Sequence, residues 1–124
     1  MGGYNTNPTT GSTLILHFDG VSWSQVASPA VKGSSSLVGI TAASATDIYA
    51  VGSASIPTAP AYPSLIVHFD GTTWSIVSNP SAGIHNTLLG VAHVPNAAIG
   101  SAQYWAVGAY DNNSPELTLA ERVI

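Results

Sequence analysis

The chain has 124 residues and a formal net charge of −4, and Lys32 and Arg122 are its only cations. It therefore lacks the clustered Lys and Arg with which proteins displace counterions from nucleic acid or hold an anionic membrane surface. It has no cysteine, which excludes disulfides, thiolate metal sites and thiol catalysis. The compartment stays open on that ground, an extracellular or cell-surface setting being favoured. Charged residues make up 6% of the chain, against about 25% in ordinary globular proteins, so part of the surface is expected to be covered by something. No apolar run approaches the roughly 18 residues that span a bilayer, and Met1-Gly2-Gly3-Tyr4 shows no signal-peptide pattern.

In chain order, Met1 to Ser12 is rich in Gly, Asn, Thr and Pro and reads as a loop. Leu14 to Phe18 and Ser22 to Ala27 read as a hairpin closed at Asp19-Gly20, a pair suited to a two-residue turn with positive φ at both positions. Val31 to Ser36 is a connection of small residues. Leu37 to Ala43 and Asp47 to Gly52 read as two more strands, and Ser53 to Pro63, with three prolines, as a loop. Leu65 to Phe69, the Asp70-Gly71 turn and Trp74 to Val77 then write the first hairpin again. The matched residues lie 51 apart: His17 with His68, Trp23 with Trp74, Pro29 with Pro80.

The copying goes on. Leu88-Leu89-Gly90-Val91 repeats Leu37-Val38-Gly39-Ile40 at the same spacing, whereas Tyr104-Trp105-Ala106-Val107-Gly108 repeats Ile48 to Gly52 at 56. Five residues are thus inserted somewhere in Pro95 to Gln103. Gly2-Gly3-Tyr4 aligns with Gly108-Ala109-Tyr110, and Thr118 to Val123 with Thr13 to Phe18. No window carries the helical period of apolar residues. Four short strands repeating every 50 residues or so form the pattern of a β-propeller blade. The expected fold is all-β, a propeller segment of about two four-stranded blades: a partial blade over 1–30, a full blade over 37–80 and a partial blade over 88–124.

Leu88-Leu89-Gly90-Val91, Trp105-Ala106-Val107-Gly108 and Asp70-Gly71-Thr72-Thr73-Trp74 together resemble the Asp-box (BNR-like) propeller repeats, particularly those of photosystem II stability and assembly factors. The resemblance spans nearly the whole chain and implies the propeller fold and a bacterial origin. His17 and His68 stand where the Asp box has Ser or Thr, and three residues rather than four separate Asp from Trp. The resemblance implies no catalytic residue, since the box is a folding element.

Asp19 and Asp70 occupy one turn in different repeats and read as turn residues rather than a catalytic acid pair. His17, His68 and Arg122 share a repeated position, which could be a polar ring or a structural site. Trp23, Trp74 and Trp105 read as packing residues, with sugar stacking the alternative. His85 and His93, eight apart, give a weak metal signal. Asp111 to Glu116 could hold calcium, but an Asx turn fits better, and Asn112-Asn113-Ser114 meets the glycosylation rule. No G-x-S-x-G, H-E-x-x-H, P-loop or dinucleotide fingerprint is present, and no cofactor or metal is expected.

The expected function is non-enzymatic: a scaffold or binding module that completes its propeller by head-to-tail association of copies, as a ring or filament, or within a longer chain. In a ring of copies, Thr118 to Val123 would be surplus. The alternatives are a lectin-like propeller holding a glycan and, less favoured, a hydrolase fragment. The loops that follow the W-A-V-G-type strand differ in sequence while the strands repeat, so any ligand is expected on their face of the molecule, at Tyr4, Asn5, Tyr62, Tyr110 and Asn112.

Overall fold

The computed structural model describes residues 2–7, 10–57, 59–98 and 103–123, with side chains from Ser12 onward. The all-β expectation holds: ten strands form three antiparallel sheets, with no helix among the described residues. The first sheet runs β1 (Gly2–Asn7), β2 (Thr10–Phe18), β3 (Trp23–Val26). The second is a four-stranded meander of β4 (Ser34–Ser44), β5 (Asp47–Ser55), β6 (Ser64–Phe69) and β7 (Trp74–Ile76). The third is β8 (His85–His93), β9 (Tyr104–Asp111) and β10 (Leu117–Val123), with β9 in the middle.

The expected loop over Met1 to Ser12 is corrected. Gly2–Asn7 pairs with β2, Gly2 opposite Leu14 and Tyr4 opposite Ser12, because backbone amides from Gly and Asn complete a ladder as well as those of any other residue. Met1, Pro8 and Thr9 lie outside the described residues, as do residues 99–102 of the expected insertion.

The Asp-Gly turns are also corrected. Phe18 pairs with Trp23 and Phe69 with Trp74, so each hairpin closes over four residues rather than two. Only the glycines take positive φ there, +100° at Gly20 and +97° at Gly71. The Asp carboxylate supplies what a tight turn would have: Asp19 Oδ1 accepts from the amides of Val21 and Ser22 at 2.8 Å each. Asp70 Oδ1 does the same for Thr72 and Thr73 at 2.8 and 2.9 Å. These amide bonds hold both carboxyls below the ordinary aspartate range. They are turn-builders.

The glycine of the W-A-V-G-type strand has an equally local cause. A Cβ on Gly52 would fall on the carbonyl of Ser36, and one on Gly108 on that of Thr87. Both sit opposite a bulge in the neighbouring strand, between Leu37 and Gly39 or between Leu88 and Gly90, where the two backbones come too close for a side chain.

The three sheets pack face to face in series, the second buried on both sides. One core holds Ile15, Leu37, Ala50, Leu65 and Val67, with Val26, Val31 and Trp74 against it. The other holds Val51, Ile66, Leu88, Ala106 and Leu119. Successive residues of a strand point to opposite faces, so Ala50 and Val51, or Leu65 and Ile66, enter different cores. That is why Ser64 to Val67 is buried throughout instead of alternating. The seams follow the sequence repeat. Leu88 and Ala106 are the counterparts of Leu37 and Ala50, and Leu119 that of Leu65, each trio facing the sheet before it.

Candidate functional site

Polar groups gather at both ends of the seam between the second and third sheets. At the end with the Asp-Gly turns, Asp47 opens β5 and receives two hydrogen bonds. His68 Nε2 donates to Oδ1 at 2.8 Å and the Tyr104 hydroxyl to Oδ2 at 2.5 Å. Tyr49 lies over His68 with ring centroids 4.3 Å apart and meets Tyr104 at the same separation. His93 completes the group against Tyr104, at 5.2 Å. Burial works to raise the Asp47 pKa, but the bonds from Tyr104 and His68 outweigh it and the group sits below its ordinary value. Burial and the Asp47 carboxylate together push the Tyr104 hydroxyl far above its ordinary range. Both Asp47 carboxylate oxygens are thus engaged from neighbouring strands, as in a structural clasp. The repeated His68 thus bonds a carboxylate, while His17 at the same position of the first sheet is exposed.

At the opposite end, β8 carries the other cluster. Tyr62 bridges to His85 in parallel fashion, its amide donating to Ile84 O and its carbonyl accepting from Asn86 N. The Tyr62 and His85 rings stack, 4.9 Å apart and 9° from parallel. His85 Nδ1 is 2.8 Å from Asp111 Oδ1, and Asp111 also accepts the Asn113 amide, closing an Asx turn. The His85 bond, then that amide, keep the Asp111 carboxyl below its ordinary range. Asn86 is fully buried and ties the connection down: its Oδ1 accepts from Ala82 N and Gly83 N, and its Nδ2 donates to the carbonyls of Tyr62 and Gly83. Beside this cluster lies a cleft of about 290 Å³ lined by Ser36, Ser53, Ser55, Tyr62, His85 and Thr87, among others.

Two residues expected on the ligand face stand here, Tyr62 within the cluster and Asn112 beside it, with Asn112 Oδ1 accepting the Ile84 amide. Tyr110 is partly buried against the second core instead. Tyr4 and Asn5 stand in β1 and their side chains lie outside the described ones. Of the tryptophans, Trp74 packs on the first core, while Trp23 and Trp105 are exposed.

The sequence signal that leads to His85 and Asp111 is a departure from the repeat. The two are cross-strand partners, and the repeat has Ser34 opposite Ser55 at the same place. His93, by contrast, sits at the far end of the same strand, eight residues or about 26 Å away. One metal ion cannot bridge that span. Among the described residues no group of three or more His, Asp or Glu is placed to hold a metal. Comparison with family models, curated proteins and solved structures gives no match to this chain.

Proposed function

We propose that this chain is a non-enzymatic building block of a β-propeller, whose two outer sheet faces are covered by further sheets of the same repeat. These come from other copies joined head to tail or from a longer chain. One observation carries the reading: the outer faces expose the residues that the repeat buries elsewhere. Leu16 is 42% exposed where its counterpart Val67 is 1%, and Trp23 is 68% exposed where Trp74 rests on a core. On the third sheet Val107 is 53% exposed, and its counterpart Val51 is wholly buried. Leu14, Leu16, Phe18 and Trp23 form a face of the kind that receives a preceding sheet. Trp105, Val107 and Ala120 form one of the kind that covers a following sheet.

The two faces are therefore complementary to each other rather than to themselves. Such a contact is heterologous and yields a ring if the rotation closes. Covering apolar surface at about 25 cal/mol per Å² supplies the drive, and contiguous patches of this kind are uncommon on free monomers. The low charge content agrees, since a covered surface needs few charges.

Sedimentation velocity or light scattering from 1 to 100 micromolar, roughly the range where such contacts form, tests it. Association that rises with concentration is expected, and Trp23→Asp or Val107→Asp should each abolish it while leaving the protomer folded. A cooperatively folded protomer that stays monomeric over that range removes the self-assembly form of the proposal.

A further inference from the structure

We infer that the cleft beside Tyr62 and His85 is a binding site for a neutral polyhydroxylated ligand, a sugar ring. The inference stands apart from how the sheets assemble.

The first ground is where the scaffold departs from its own repeat. Residues of the apolar cores and of the bulged strand pairs recur at the repeat spacing, as Leu37 and Leu88 or Gly52 and Gly108 do. At the cleft they do not. The strand-end pair Ser34–Ser55 of the second sheet becomes His85–Asp111 in the third, and Tyr62 stands at the position where the first copy has Gly11. The changed residues converge from three separate elements. They meet as one stacked and hydrogen-bonded group at the edge of a cleft of about 290 Å³, a volume at the small end of ligand sites.

The second ground is the chemistry of the wall. Asp111 is held ionised and only accepts, so the proton of the bond lies on His85 Nδ1. In the neutral ring Nε2 is then a fixed acceptor for a hydroxyl. Ser36, Ser53, Ser55 and Thr87 add hydroxyls able to donate or accept, and Tyr62 adds an aromatic ring for the C–H face of a pyranose. No Asp, Glu, Lys or Arg lines the wall, and the nearby Asp111 carboxylate stands behind His85, engaged by it. An anion finds no counter-charge there, and a cation finds a carboxylate already taken. A ligand with many hydroxyls, no charge and one apolar face matches all of these features.

The test is saturation-transfer NMR on the whole protein with a panel of neutral methyl glycosides at millimolar concentration, with glucuronate and glucosamine as charged controls. At least one neutral glycoside should show saturation of its ring protons. His85→Ser combined with Asp111→Ser, which restores the pair used by the second sheet and so should fold, is expected to weaken binding about tenfold. Tyr62→Ala should do the same, and its thermal melt reports whether the fold survives. No saturation in any neutral glycoside overturns the inference, as does binding undiminished in both variants. Preferential binding of a charged control overturns the assignment to a neutral ligand.

Discussion

The two seams of this molecule are built from the same repeat and have different characters. The first is held by an apolar core, with no charged side chain in it: Ile15 and Val26 of one sheet meet Leu37, Ala50, Leu65 and Trp74 of the next. The second has the same apolar centre, in Val51, Ile66, Leu88, Ala106 and Leu119, but its margins are polar. Asp47, His68 and Tyr104 clasp one end, Tyr62, His85 and Asp111 hold the other, and Glu121 lies buried beside Asn79. Burial of aliphatic side chains suffices to join two such sheets. Titratable groups in the second seam add a polar clasp to that burial, and they make that seam the one that responds to pH.

The largest expected effect separates packed from unpacked copies of one residue. Trp74→Ala removes an aromatic from the first core and should cost about 3 kcal/mol, the low end for such a truncation because Trp74 is only partly buried. Trp23→Ala, at the equivalent exposed position, should cost under about 0.5 kcal/mol when the protein is dilute. Urea unfolding of both variants at low concentration measures the contrast. Equal losses would mean that Trp23 is already covered by another copy.

A smaller effect tests the clasp of the second seam. Tyr104→Phe takes away a hydrogen bond to the Asp47 carboxylate and should cost about 1 kcal/mol at neutral pH, discounted because the pair is partly exposed. Asp47 is depressed below the ordinary aspartate range, so its contribution is present above that range and fades as the pH falls through the folded-state value. Without the Tyr104 hydroxyl the folded-state value rises. The acid-unfolding midpoint of the variant should therefore move upward, whereas a Val26→Ala change in the first seam should leave that midpoint's carboxylate dependence alone. An unmoved midpoint in Tyr104→Phe would mean that the clasp does not bear on stability.

The repeat at 51 residues exposed most of this architecture in advance, because alternation and turn chemistry are local properties. The strands of the second sheet, the hairpins at Asp19 and Asp70 and the packing role of Trp74 all follow from residues close together in the chain. The first strand was illegible for the opposite reason: Gly2–Asn7 holds its place through backbone pairing to β2, which its Gly- and Asn-rich composition does not announce. The two-residue turn failed because the period shows that a turn recurs but not how many residues its carboxylate caps. His85 and Asp111 are 26 residues apart and meet only once β8 pairs with β9. What marks them in the sequence as a pair is that both depart from the repeat.

Glu121 breaks it as well, and sharpens the contrast between the seams most finely. Its counterparts are Leu16 and Val67, yet the third sheet places a carboxylate there, 8% exposed, with Oε1 unpartnered among the described groups. Burial pushes its pKa above the ordinary glutamate range, against the lowering pull of hydrogen bonds from Asn79 and Ser64. An acid whose folded-state value is raised favours the fold while protonated, so its stabilising share is full below about pH 4.5 and declines as pH climbs through the folded-state value. Above that window the buried charge is a burden. Glu121→Val, which installs the residue the second sheet already uses, should therefore raise stability by about 1 kcal/mol near neutral pH. That gain should shrink toward pH 4, where the wild-type carboxyl is neutral. Thermal melts of the two proteins at matched pH values between about 4 and 8, spanning the carboxyl range, give the difference curve. A gain independent of pH would assign the effect to packing, and a loss at pH 7 would mean that Oε1 has a partner that repays its burial.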